Sequence, residues 1–204
     1  MSNEKSGSRT LLWSVIMSSP GPLVVGLGLM VGQSSTQIAD FVRRSSELLA
    51  IIMSFVVYKI TAGSNGNNQE RRAYLERMTS IFVGAMMCLG GSIMLVLAFV
   101  SQNEEKGNVI PGLVIAVLGV IANTIFWRKY TKLNKEQPNE ILAVQARLYR
   151  AKSLVDTCVT LALLSVVFMP GTAFSYYVDK IGTVIVAIYL IWCGVDTIRE
   201  HVSK

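Results

Sequence analysis

Two short charged stripes carry whatever chemistry this chain performs. The first is Gln37-Ile-Ala-Asp40-Phe-Val-Arg43-Arg44-Ser-Ser-Glu47, which runs directly into apolar Leu48 to Tyr58. Asp40, Arg43 or Arg44, and Glu47 recur at helical spacing and share one face, while Leu48, Ile51, Ile52, Phe55 and Val56 cover the rest. The second is Lys152-Ser-Leu-Val-Asp156, again a base followed one turn later by an acid. An ionisable side chain at mid-span of a membrane helix costs roughly 2.5 to 3.5 kcal/mol and survives by facing a partner or a cavity. Such stripes can form ion pairs, pass protons or hold a cation. The competing reading lets Asp40 reach interfacial water beside the polar Gln33-Ser-Ser-Thr-Gln37, and lets the long Lys152 snorkel outward. The shorter Asp156 has no such escape.

The elements that position these stripes are membrane helices. In 204 residues the chain is 51% hydrophobic, with 16% charged residues gathered into short blocks and a mean hydropathy of +0.47. That composition excludes an ordinary soluble domain and points to a polytopic membrane protein. Apolar runs at about 10–32, 37–60, 79–100, 108–128, 153–170 and 181–198 each match the roughly 20 residues that span the hydrocarbon core. The expected fold is all-α, with six transmembrane helices in one domain over 1–204.

Charge in the connections sets the orientation. Lys59, Arg71, Arg72 and Arg77 fill one loop region and Arg128, Lys129, Lys132, Lys135, Arg147 and Arg150 the next, whereas the alternate loops hold only Lys106 and Lys180 as basic residues. With Lys5 and Arg9 ahead of the first helix and Arg199 and Lys204 after the last, both termini are expected in the cytoplasm of a cell-membrane protein. The net charge of +6 therefore reports topology, and no nucleic-acid partner is expected.

Several smaller features follow. Ser18-Ser-Pro-Gly-Pro22 removes two backbone donors in mid-span and predicts a kink or local unwinding. Gly28 and Gly32 in the first helix, and Gly84, Gly90 and Gly91 in the third, permit close helix packing. Asn123 in the fourth helix is expected to bond across helices. The stretch from Thr61 to Gln69 reads as a flexible cytoplasmic turn, and Asn134 to Asn139 as a break ahead of the fifth helix. Cys88, Cys158 and Cys193 show no paired spacing and read as small core residues.

The pattern resembles the membrane domain of the cation diffusion facilitator family, exporters that exchange a divalent metal for protons. The resemblance is carried by Ser-Thr-Gln-Ile-Ala-Asp40, Arg71-Arg-Ala-Tyr-Leu, Gly112 to Phe126 with Asn123, Tyr177-Val-Asp179, and Gly194-Val-Asp-Thr-Ile-Arg-Glu. It implies a metal site between the second and fifth helices, built from an [His/Asp]-x-x-x-Asp pair on each. The matching positions here are Arg43 with Glu47 and Lys152 with Asp156. Two of those four are cations, and a guanidinium has no lone pair to offer and keeps its proton. At an effective dielectric of about 20, a divalent ion about 4 Å from a unit charge feels roughly 8 kcal/mol, so the two bases cancel what the two acids offer. No zinc at this site, and no other cofactor, is expected. The chain also ends at Lys204, where most family members continue into a cytoplasmic ferredoxin-like domain, and none is expected here.

Three readings stand at this point. One is a transporter that moves a cation or other small solute by alternating access through the cluster of Asp40, Arg43, Glu47, Lys152 and Asp156, in which Lys152, Glu47 and Asp156 change protonation or partners. The second is a transport-inactive structural or regulatory member in which ion pairs replace the metal. The third is a metal transporter using Asp40, Gln37 and the turn near Pro20. In each the partners are the lipid bilayer and a second subunit, in a homodimer or a heterodimer with a related membrane protein. An enzyme is not expected: the only histidine, His201, stands in the terminal tail, and neither a nucleophile with its base nor a phosphate-cradling loop is visible.

Overall fold

A computed structural model describes residues 2–31, 35–62, 69–100, 110–168 and 173–202. They form α1 (Ser2–Ser18), α2 (Pro20–Val31), α3 (Ser35–Ala62), α4 (Gln69–Val100), α5 (Ile110–Glu136), α6 (Glu140–Phe168) and α7 (Ala173–Val202). The fold is the expected all-helical bundle of six long elements, the first of them broken into α1 and α2.

The break falls at Ser19, as the proline pair predicts. Pro20 has no N–H to give the Ile16 carbonyl, and the Ser19 hydroxyl donates to that carbonyl in its place at 2.8 Å. The Ser19 amide still reaches Val15 O at 3.0 Å, so the helix is intact up to the turn. Among the described residues, four helical stretches meet the length and hydropathy of a membrane crossing: Ser6–Leu27, Gln69–Val100, Leu113–Glu136 and Lys180–Val202. The helices carrying the charged stripes, α3 and α6, are not among these. Large apolar side chains such as Leu23, Phe99, Ile115, Phe168 and Trp192 point outward, as a lipid-facing surface requires.

Several helices outrun their apolar runs. The loop-side residues of α4, α5 and α6 are Arg, Lys, Glu and Gln, good helix formers that continue the backbone pattern beyond the apolar zone. The turn between α5 and α6 is built by two asparagines. Asn134 Oδ1 accepts from the Asn139 amide at 3.0 Å, and Asn139 Oδ1 caps α6 by accepting from the amides of Ile141 (3.0 Å) and Leu142 (3.3 Å).

Packing is closest between α4 and α7 and between α5 and α6; α3 lies against α4 and the broken first element, and meets α6 only sparingly. The glycines of α4 explain its closeness to α7. A Cβ on Gly84 would stand 2.9 Å from the Gly194 carbonyl oxygen, and one on Gly91 would stand 2.9 Å from that of Ala187. Gly28, Gly32 and the 63–68 stretch of the expected flexible turn lie outside the described residues or their described side chains.

One expectation is corrected here. His201 is no tail residue: it sits buried in the last turn of α7, where Nδ1 donates to Thr197 O at 2.7 Å and Nε2 lies 3.6 Å from Glu140 Oε2 on α6. The helix continues past the apolar run because backbone hydrogen bonding and this interhelical contact hold its end. Arg147 makes a second α6 to α7 tie, 2.8 Å from Glu200 and 3.6 Å from Asp196. Hydrogen bonding to Glu200 holds the Arg147 guanidinium above its ordinary pKa, against the pull of burial.

Candidate functional site

The two stripes meet. On α3, Arg43 Nη1 lies 3.1 Å from Glu47 Oε1, the one-turn spacing placing base over acid. From α6, Lys152 Nζ reaches the other carboxylate oxygen, Oε2, at 3.2 Å. Glu47 is thereby bridged by a cation from its own helix and one from the facing helix. The triad is largely shielded: the side chains of Arg43 and Lys152 are 14% exposed and that of Glu47 11%. Pairing offsets part of the cost that any one of them would incur alone in an apolar bundle.

Each member is held by its surroundings. The Arg43 stem passes over Gly90 of α4, within 3.6 Å of where a Cβ would be. Lys152 Nζ stands 5.2 Å from the centroid of Tyr149, whose hydroxyl meets Ser18 at the break in the first element at 3.2 Å. Tyr149 also stacks on Tyr130, itself hydrogen-bonded to Ser14 at 2.7 Å. An aromatic and hydroxyl layer thus fixes the ammonium from below.

Asp156 takes a different partner from the one its spacing suggests. Its Oδ2 accepts from Asn123 Nδ2 of α5 at 2.6 Å, so the carboxylate is anchored toward α5, while still interacting electrostatically with Lys152, Glu47 and Arg43. Gly119 makes that posture possible, since a Cβ there would stand 2.5 Å from Asp156 Oδ2. The hydroxyls of Thr124 and Ser153, 2.7 Å apart, pin the same two helices one turn away. Asn123 was legible as a residue that bonds across helices; its role as donor and its partner were not, and Gly119 carried no signal beyond being small.

Arg44 Nη1 lies 3.5 Å from the Cβ position of Gly21 at the start of α2, while its charge still acts on Glu47. A guanidinium therefore stands beside the turn near Pro20. The backbone of Gln37 and Asp40 belongs to α3, but their side chains lie outside those described, and with them the roles expected of these two residues.

A cavity of about 730 Å³ opens elsewhere, at the basic end of the bundle, lined by Arg72, Glu76, Asn139, Glu140 and His201 among others. It contains none of the stripe residues. Among the described residues no three His, Cys, Asp or Glu side chains converge as metal ligands. In the cluster itself both oxygens of Glu47 are engaged by cations and one oxygen of Asp156 by an amide, so an incoming cation meets a Glu47 carboxylate that is already paired.

Fold and site together define a polytopic helical membrane protein with an ion cluster at the junction of two charged helices. The family model for the cation efflux transmembrane domain matches residues 11–204, and the chain belongs to that family, whose members are transporters of cations across membranes. The resemblance read from its motifs is thereby borne out. No curated protein matches the chain.

Proposed function

We propose that this protein exchanges a proton for a monovalent cation across the membrane by alternating access, through the cluster between α3 and α6. The observation that carries this reading is the position of Lys152, bonded to Glu47 at 3.2 Å with Asp156 one turn away on its own helix. Arg43 keeps its charge, whereas a lysine ammonium can release a proton. With Lys152 protonated, Arg43, Glu47, Lys152 and Asp156 sum to zero. Once its proton leaves to water, the set carries one negative charge and the neutral amine gains a lone pair, which suits one monovalent cation held by the amine and the two carboxylates. Rebinding of a proton restores the ion pair and expels the cation. The same sum disfavours a divalent metal. Both termini are inferred to face the cytoplasm of a cell-membrane protein, and the working unit is inferred to be a dimer.

The second reading, a transport-inactive member, is favoured by the completeness of the triad, since Glu47 already has a cation on each oxygen. Proteoliposomes separate the two. Under an imposed pH gradient, uptake across a panel of monovalent and divalent ions is expected for a monovalent cation in the wild type, with loss in Glu47→Gln and Lys152→Arg. Absence of flux for every ion, or flux that survives Lys152→Arg, overturns the exchange reading.

A further inference from the structure

Below the charged cluster, toward the basic end of the bundle, the same two helices carry a second polar contact. Gln145 of α6, fully buried, donates through Nε2 to Ser54 Oγ of α3 at 2.7 Å. Ser54 lies two turns beyond Glu47 on α3, and Gln145 two turns before Lys152 on the antiparallel α6, a displacement of about 10 Å at 1.5 Å per residue. The two contacts thus stand in one register along one seam.

Ser54 also settles which amide atom faces where. Its single proton goes to the Ala50 carbonyl at 2.9 Å, so Oγ can only accept from the amide, and the NH₂ group must be the end that meets it. Gln145 Oε1 is left buried and with no hydrogen-bond partner among the described residues. A buried carbonyl oxygen without a donor costs about 1 to 3 kcal/mol, a cost that a structural glutamine avoids by pairing both ends. Tyr149 of α6 and Ala50 of α3, both fully buried, fall between the two contacts along their helices.

We infer that Gln145 Oε1 is a cation ligand, a second station on the cytoplasmic side of the charged cluster, about two helical turns from it. A neutral carbonyl oxygen replaces one water of a monovalent ion's hydration shell without holding the ion tightly, which suits a transit position. The inference rests on the exchange reading above, because that reading supplies the ion.

The test uses the full chain with Cys88, Cys158 and Cys193 replaced by alanine and Ser54→Cys as reporter, in vesicles exposing the cytoplasmic face to a membrane-impermeant thiol reagent. Ser54 and Leu148 are equally buried, so a path that opens to Gln145 Oε1 during transport should make Ser54→Cys react about tenfold or more faster than Leu148→Cys, which only local unfolding exposes. Na⁺ or K⁺, against a bulky organic cation, should slow the Ser54→Cys reaction, and Gln145→Leu should abolish that protection. Gln145→Met serves where Gln145→Leu does not elute as a folded species. No reaction at position 54, reaction indifferent to Na⁺ and K⁺, or protection that persists without the amide oxygen each overturns the assignment. Labelling is read without flux: missing flux with intact protection sinks the exchange reading and keeps the station, and the converse result does the opposite.

Discussion

Lys152 and Glu47 lie on helices that otherwise meet sparingly, and the 3.2 Å contact between them is a charged link from α3 to α6. Removing one partner of a shielded pair leaves the other charge uncompensated. Lys152→Ala should therefore destabilise the protein by about 3 kcal/mol or more. Lys152→Arg, which keeps the charge, should stay within about 1 kcal/mol of wild type. Thermal unfolding in detergent checks both, and equal stability of all three proteins would mean that the pair is solvated.

The metal expectation has a direct measurement. By calorimetric titration, wild-type protein should bind Zn²⁺ no better than Glu47→Ala, Asp156→Ala does, because Arg43 and Lys152 occupy the carboxylate of Glu47. Replacing Arg43 with Asp and Lys152 with His exchanges both cations for ligands that offer lone pairs. Zinc binding should then appear, and its absence would show that the helix spacing itself is wrong for a metal.

Gly119 and Asp156 should behave as a coupled pair. A Cβ at 119 would press on Asp156 Oδ2 and lever the carboxylate off Asn123. Gly119→Ala and Asp156→Ala should each destabilise, and the double substitution should cost less than their sum by about 0.5 to 3 kcal/mol. Strict additivity would place Asp156 away from α5.

The α4 to α7 contact supplies a control on packing. Gly91→Ala sets a methyl 2.9 Å from the Ala187 carbonyl, a backbone atom that cannot step aside, and should cost about 1 to 3 kcal/mol. At Gly182 the nearest atom to a new Cβ among the described residues is 3.8 Å away, ordinary contact, so Gly182→Ala should be neutral within about 0.5 kcal/mol. The contrast is read from paired unfolding curves.

The helical frame was decided by the sequence alone, because apolar runs of membrane length, the Ser18 to Pro22 breaker and the Asn134 to Asn139 turn are local signals that later packing cannot erase. The face shared by Arg43 and Glu47, and the one shared by Lys152 and Asp156, followed from helical periodicity in the same way. Periodicity names a face and no partner. Which oxygen of Glu47 meets Lys152, why Asp156 turns to Asn123, how Arg44 comes to lie at Gly21 and why Gln145 Oε1 meets no donor among the described residues all depend on interhelical distances. Those distances are set by where glycines such as Gly84, Gly91 and Gly119 let neighbouring atoms approach, which only the tertiary structure decides.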